Sequence, residues 1–588
     1  MKASTCLVYF LLCTLTPLLA QQTYRVHAHN DYVRDVPFWH AYGNGAESIE
    51  VDLYLERDTL FATHSRAEIA SGATFSALYL EELDRLAERV ALRPVQLLID
   101  LKSEAYETLD EVVAAIQRYP KLTESGQVTF VISGNRPEAA DYGNYPDFIY
   151  FDHQRLDDLG EIDLDKVALI SQSFRDYSVW NGYGRITSGD GARVQQVLAT
   201  VAPTGKPFRF WATPDTKTAW AYFAGLGVGY INTDRPAPAR AFLDQLPQRT
   251  YRLEQESPVY EPSNNFDPNA RARNVILLIG DGNGLSQISA ARVANGGDLS
   301  LTRIKHVGLV STTAADDAVT DSAAGGTAMA TGEKTNNRSI GVDTAGGDLP
   351  TLVELLGREG YTTGIITTDG IDGATPSAFY AHTAERDDSD KIIADLVASD
   401  LDFFIAGGAA KADRIAERYQ SRSLEDIGNL DRPTAIYHGA GKMPSVEDGR
   451  GDFLPASVDT ALSVLGRTDR PFFLLVEGAQ IDSGGHANDI TTVVTEMLDF
   501  DRAVARALRF ADTDRETLVI VTADHETGGL GVATGTTNGS VRADFLSVDH
   551  TGTLVPLFAY GPGAAAFTGV FENTEVFHRI MAALAGGE

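Results

Sequence analysis

Short apolar runs recur along the first 240 residues: Tyr24 to His29, Ser48 to Tyr54, Val95 to Leu101, Val128 to Ser133, Phe148 to Asp152, Val167 to Ser173, Phe208 to Thr213 and Gly227 to Thr233. Helix-like stretches separate them, the pattern of repeated βα units. Eight such strands predict a (βα)8, TIM-like barrel over residues 21–250, with polar residues at the ends of the runs, where a barrel builds its site. From about Tyr251 to Arg273 the pattern lapses into Ser257-Pro258, Glu261-Pro262-Ser263-Asn264-Asn265 and Asp267-Pro268, which predicts a linker over 251–273. A different pattern begins at Asn274. Val275-Ile276-Leu277-Leu278-Ile279 is apolar without alternation and ends in Gly280-Asp281-Gly282, as expected of a parallel strand covered on both faces. Thr363 to Thr367, Phe472 to Val476, Leu518 to Thr522 and Pro556 to Tyr560 repeat it, predicting a three-layer α/β/α sandwich over 274–588.

A chain of 588 residues exceeds one core. Hydrophobic content of 43% and charged content of 22% are those of globular protein. With 81 acidic against 49 basic residues the net charge is -32, which argues against nucleic acid and anionic membranes as partners. Bound divalent metals reverse the field locally, so an anionic substrate stays compatible with this charge. Residues 1–20 carry Lys2, an apolar run through Val8-Tyr9-Phe10-Leu11-Leu12, and Leu18-Leu19-Ala20 before Gln21, the layout of a signal peptide. Export to periplasm or medium is expected, without stable membrane insertion, because the run is short for a spanning helix. Both cysteines, Cys6 and Cys13, fall in this segment, so no disulfide is expected in the mature chain.

The chemistry-bearing residues of the second half sit at or just after strand ends: Asp281, Glu477, Asp482, Asp524 and His525, with His486 and His550 in polar loops. This mixture of imidazole and carboxylate suits zinc, and two groups of three ligands suit a pair of ions. A lone aspartate at a strand end is commonly only a helix cap; the signal is the set, placed around Thr320-Asp321-Ser322-Ala323. In order, Gly280-Asp281-Gly282, Asp321-Ser322-Ala323, Ala374-Thr375-Pro376, Glu477-Gly478-Ala479, Asp482 to His486, Thr522-Ala523-Asp524-His525 and His550-Thr551-Gly552 resemble the alkaline phosphatase family. The resemblance covers about residues 271 to 588.

The resemblance implies a phosphoric monoester hydrolase with Ser322 as a nucleophile that becomes a phosphoserine, and small phosphate esters as substrates. It implies one zinc on Asp482, His486 and His550, a second on Asp281, Asp524 and His525, and a magnesium on Asp281, Thr375 and Glu477. Arg386 would clamp two phosphoryl oxygens. The family also implies a homodimer. Gly373 stands where members usually place Asp or His, two residues before the threonine ligand, which puts the magnesium site in question. Asp372 is adjacent but needs a different backbone path to replace it, and Ser483 stands where some members carry a basic residue.

In the first half His27-Ala28-His29-Asn30-Asp31 is followed by Glu50-Val51-Asp52, Thr63-His64-Ser65 and Asp100-Leu101-Lys102. Carboxylates two residues apart on a strand point the same way and can chelate a hard cation, and paired histidines suit proton transfer on a phosphodiester. This order resembles the glycerophosphodiester phosphodiesterase and phosphatidylinositol phospholipase C-like barrel superfamily over residues 23 to 240. It implies calcium or magnesium on Glu50, Asp52 and Asp100, proton transfer by His29 and His64, and phosphate contact by Lys102. Asn30-Asp31 replaces the usual Arg-Gly, and Trp211 offers a stacking surface near a late strand end. The alternative is a barrel that binds without catalysis. Together the halves predict an exported, phosphate-scavenging enzyme. A sulfatase or phosphodiesterase on the same sandwich is the rival, but Ser322 is followed by Ala323-Ala324-Gly325-Gly326 rather than a sulfatase-type Pro-x-Arg.

Overall fold

The computed structural model describes residues 24–89, 91–428, 430–536 and 539–585; the signal-peptide segment with Cys6 and Cys13 lies outside them. The chain divides into two compact units, with the boundary between Pro247 and Gln248.

The first unit carries strands β1 (Val26–Ala28), β2 (Ser48–Glu56), β3 (Thr59–Ala62), β4 (Val95–Leu101), β5 (Val128–Gly134), β6 (Ile149–His153), β7 (Val167–Ser173), β8 (Phe208–Trp211) and β9 (Ile231–Thr233). Eight of them run side by side in the order β8-β7-β6-β5-β4-β2-β1-β9, while β3 pairs antiparallel with β2. A bridge between Arg209 and Tyr230 joins the two ends, so the barrel is nearly closed. Leu98, Val131, Leu169 and Tyr230 form a small cluster of their own, whereas their neighbours Leu97, Ile99, Phe130, Ile132 and Ile170 join the main apolar core. That alternation is the period of two that a strand imposes. Two crossovers depart from the expected helices: β5 to β6 and β6 to β7 are bridged by the 3-10 turns Ala139–Asn144 and Leu164–Lys166.

The second unit continues with β10 (Thr250–Arg252), β11 (Asn274–Gly280), β12 (His306–Ser311), β13 (Thr362–Gly370), β14 (Phe403–Gly407), β15 (Gln420–Arg422), β16 (Thr434–Tyr437), β17 (Phe472–Gly478), β18 (Thr517–Thr522), β19 (Glu526–Thr527), β20 (Gly531–Gly535), β21 (Ser540–Asp544), β22 (His550–Thr551), β23 (Val555–Tyr560) and β24 (Gly569–Glu572). Ten form one mixed sheet, β15-β16-β14-β13-β17-β11-β18-β23-β12-β24. Val275, Leu277 and Ile279 pack into one core and Ile276 and Leu278 into another, so the all-apolar run is explained by helices on both faces. The 25-residue helix Ile490–Asp514, capped by Asp489 on the amide of Thr491, lies on the second of these faces. The predicted linker is ordered against this unit. β10 pairs with β21, Tyr260 Oη donates to Asp512 at 2.7 Å, and Ser263 Oγ donates to the same carboxylate at 2.7 Å. Among the described residues no helix is long and apolar enough to cross a membrane.

Candidate active site

Strands β13, β17, β11 and β18 are parallel neighbours, and in register Thr367 faces Glu477, which faces Ile279, which faces Thr522. Their carboxyl ends therefore deliver Glu477, Asp281, Asp524 and His525 to one crevice, where open α/β sheets bind ligands. Ser322 opens the helix Ser322–Thr331 beside it. Asp321 is extended (φ -96°, ψ 171°) and caps that helix by accepting from Ala324 N at 3.0 Å. After Ser322 the helix is built from Ala, Gly, Thr and Met and is wholly buried, which lets it approach the loop of Asp524. Ser322 is 5% exposed, with Oγ 3.3 Å from His525 Nε2. The same Asp321 accepts from Arg338 N at 3.1 Å and holds Arg386 Nη1 at 2.9 Å, so the cap and the arginine share one carboxylate.

The histidines are oriented through their other nitrogens. His486 Nδ1 donates to Val548 O at 2.6 Å and His550 Nδ1 to Thr320 O at 2.9 Å. Thr527 donates its hydroxyl proton to Asp482 at 2.6 Å, which leaves its oxygen to accept from His525 Nδ1 at 3.2 Å. With each Nδ1 so engaged, all three Nε2 atoms turn to the crevice as lone-pair donors, the arrangement metal-binding imidazoles show. Pairing of β19 with β22 sets Thr527 opposite His550, and the rings of His525 and His550 stack at 3.6 Å. Nε2 of His550 lies 3.2 Å from Nε2 of His486.

Asp482 and His486, four apart on the helix Gln480–Ala487, meet at 3.3 Å. Asp482, His486 and His550 form one cluster of donor atoms within 4.8 Å, and Asp281, Asp482 and His525 form a second. Asp482 thus takes part in both. Asp524 also reaches the second group, with Oδ2 buried, without a hydrogen-bond partner, and 3.3 Å from His525 Nε2. Burial and the charges of Asp524 and Asp482 push Asp281 well above the usual carboxylate range. The carboxylate of Asp482, accepting from His486, pushes that imidazole up to about 9. Imidazole and carboxylate around buried, unpartnered oxygens fit zinc.

Thr375 is 1% exposed and its hydroxyl has no hydrogen-bond partner; Thr367 hydrogen-bonds the carboxylate of Glu477. Burial and the nearby charge of Asp369 push Glu477 up to about 8. Asp372 does not reach this group: it pairs with Lys411 and accepts from Ser389 Oγ at 2.7 Å. Ser483 accepts from Lys442 Nζ at 3.0 Å, bringing a cation from a distant segment to that position. Thr527 and Asp369 were missed by sequence reasoning, and Asp321 was read only as part of the motif around Ser322. Asp321 alone carried a signal, an acceptor directly before a helix start.

In the first unit Glu50, Asp52 and Asp100 bring carboxylate oxygens within 4.8 Å of one another. Lys102 Nζ lies 3.3 Å from Asp52 and 3.0 Å from Asp100, His64 Nδ1 lies 2.8 Å from Asp52, and His29 Nδ1 lies 2.8 Å from Asp234. Burial and the charge of Glu50 push Asp100 up to about 6. Asp100 sits against Gly134, whose φ of 68° and lack of Cβ both matter, since any side chain there would collide with the carboxylate. His27 is buried, 2.7 Å from Ser48 Oγ and 2.8 Å from Glu50, and burial together with the charge of Arg209 lowers it to about 3. It is therefore a neutral support. Asp31 accepts from Phe38 N and from Tyr79 Oη, so its part in the Asn30-Asp31 replacement is structural, whereas Asn30 lines the cavity. A cavity of about 480 Å³ is lined by His29, His64, Asp100, Lys102, Arg209 and Trp211, with Trp211 partly exposed. Buried Arg209, 3.0 Å from Glu50 and 3.4 Å from Asp152, lay inside an apolar run and was not foreseen.

The profile of the family described as Alkaline phosphatase matches residues 272–403 and 452–544. An AIM6-like phosphodiesterase domain matches 20–92, and the Glycerophosphoryl diester phosphodiesterase family matches 207–237. Alkaline phosphatase of Escherichia coli (strain K12) is 33% identical over 405 residues, covering 53% of this chain and 86% of that protein. Streptomycin-6-phosphate phosphatase of Streptomyces griseus is 34% identical over 411 residues, covering 54% and 91%. Among solved structures, alkaline phosphatase from the Antarctic bacterium TAB5 is 38% identical with a TM-score of 0.51, covering 54% of this chain and 99% of that one. A variant of that enzyme with Mg bound in its M3 site gives a TM-score of 0.52 at 37% identity over 54% and 99%.

Proposed function

The chain belongs to the alkaline phosphatase family, and from that premise we propose that its second unit hydrolyses small phosphate monoesters through a covalent phosphoserine on Ser322. The observation that carries this reading is the convergence of Ser322 Oγ and three oriented imidazoles on one crevice. Two zinc ions, held by Asp482, His486 and His550 and by Asp281, Asp524 and His525, would supply charge neutralisation and activation at the nucleophile and leaving group. Arg386, fixed by Asp321, presents its remaining donors to two phosphoryl oxygens. Ser322 Oγ attacks phosphorus, the ester P–O bond breaks, and the alcohol leaves with a proton. Water then attacks the phosphoserine, the P–Oγ bond breaks, and orthophosphate departs with Ser322 restored.

The first unit supports a second activity, cleavage of a phosphodiester. Glu50, Asp52 and Asp100 fit a hard cation, calcium or magnesium, since all three offer oxygen. His29 and His64 line the same cavity as candidate base and acid, and Lys102 as the phosphate contact. A diesterase would release the monoester that the phosphatase consumes, which in an exported chain amounts to phosphate scavenging. The test uses chromogenic monoester and diester substrates at alkaline pH, with and without zinc. Monoester turnover must require zinc and vanish in Ser322→Ala; diester turnover that survives Ser322→Ala and is lost in His29→Ala assigns the second activity. Zinc-independent monoester turnover in Ser322→Ala removes the proposal.

A further inference from the structure

Gly373 leaves the expected magnesium site without a side chain at that position. A Cβ at Gly373 would lie 2.6 Å from Oδ2 and 3.1 Å from Cγ of Asp369, so the carboxylate of Asp369 occupies the room that a side chain at 373 would enter. The backbone makes this possible: Gly373 N donates to Gly370 O at 2.9 Å, a turn that folds residue 373 back over the end of β13. Asp369 is fixed there. Gly370 N donates to its Oδ1 at 2.8 Å, and its own N–H donates to Thr367 Oγ1 at 2.9 Å, whose hydroxyl in turn bonds Glu477. Its Oδ2 is the oxygen turned toward position 373.

We propose that Asp369 replaces the missing side chain at 373 and, with Thr375 and Glu477, completes an all-oxygen site for magnesium. A buried hydroxyl without a partner points to a ligand independently of the carboxylates, and Thr375 Oγ1 is such a group. Oxygen donors without imidazole select a hard cation over zinc. Asp372, the nearer candidate in sequence, is committed to Lys411 and Ser389.

The inference rests on the phosphatase reading above, and the experiment separates the two. Full-length, zinc-loaded protein is dialysed against graded Mg²⁺ and its metal content measured by elemental analysis, with far-UV circular dichroism to verify folding. Asp369→Asn is expected to weaken Mg²⁺ binding by roughly tenfold or more, while Asp372→Asn leaves it unchanged. The double variant Asp369→Gly with Gly373→Asp, which moves the carboxylate back to 373, is expected to recover binding. Wild-type Mg²⁺ affinity in Asp369→Asn, or no saturable Mg²⁺ binding to the wild type, overturns the proposal. Zinc content and Ser322-dependent turnover are read on the same samples. If both persist while Asp369→Asn binds Mg²⁺ normally, only the assignment of Asp369 fails; if both are absent, the phosphatase reading itself has failed.

Discussion

Asp321 joins the helix cap to Arg386, the proposed phosphate clamp, and the two roles come apart under substitution. Its carboxylate accepts from Ala324 N at 3.0 Å and from Arg338 N at 3.1 Å and pairs with Arg386 at 2.9 Å. Asparagine caps helices nearly as well as aspartate, so Asp321→Asn should shift stability by only a few tenths of a kcal/mol, whereas Asp321→Ala should cost about 1 kcal/mol. The charge pair with Arg386 is lost in both. Charge-assisted hydrogen bonds contribute about 1.5–3 kcal/mol when buried, and the side chains here are 28% and 17% exposed, so about 1–2 kcal/mol is a fair discount. If that energy orients Arg386 on phosphate, the inhibition constant of orthophosphate should rise roughly 5- to 30-fold in Asp321→Asn, at 1.4 kcal/mol per tenfold. Turnover need not fall with it, because weaker product binding speeds a release-limited enzyme. The assay is competitive inhibition by orthophosphate in wild type, Asp321→Asn, Arg386→Ala and the double variant, beside thermal melts. Unchanged phosphate inhibition in Asp321→Asn, or a double variant much worse than Arg386→Ala alone, would refute the idea that Asp321 acts through Arg386.

Arg450 is fully buried against Glu496 at 2.5 Å and Asp499 at 2.8 Å, so Arg450→Met should destabilise by about 3 kcal/mol near neutral pH by leaving buried Glu496 without a cation and Asp499 with Arg502 alone. Burial already raises both carboxyl groups, an effect that favours the fold below their unfolded values and is lost as pH rises through the folded ones. Removing Arg450 raises them further, so urea melts should show a larger deficit at pH 7.5 than at pH 5; a deficit independent of pH counts against this. Chelation by EDTA should lower the melting temperature and zinc should restore it, because Asp281 and Asp524 keep buried oxygens without hydrogen-bond partners; an unchanged melt contradicts the metal reading. In a Ser322→Ala background, His29→Ala should cost diester turnover at least about 10²-fold, and undiminished turnover would leave the barrel a binding module.

Much of this was legible because strand ends and ligands coincide. The apolar runs before Asp281, Glu477 and Asp524 announce both a two-faced sheet and a ligand at its carboxyl edge. Edge strands were harder: His306–Ser311 alternates exposure around Gly308, and Gln420–Arg422 is short and polar, so neither stands out by periodicity. The segment 251–273 reads as linker because its Pro and Asn content is that of a loop, yet its order comes from Asp512, more than 240 positions away in the chain. Asp369 was illegible for a related reason. Its place in the site depends on the turn from Gly370 to Gly373, and spacing alone favours Asp372, whose partner Lys411 sits 39 residues on. Arg209 looked like a strand residue, and only closure of the barrel brings it to Glu50.

Hydrolysis as proposed passes through a covalent phosphoryl group on Ser322. Zinc-loaded protein incubated with a phosphate monoester, quenched in acid and digested, should yield the peptide containing Ser322 carrying one phosphoryl group by mass spectrometry, and Ser322→Ala should yield none. An enzyme that turns over the monoester with zinc but never shows that modification, or shows it equally in Ser322→Ala, would contradict the account.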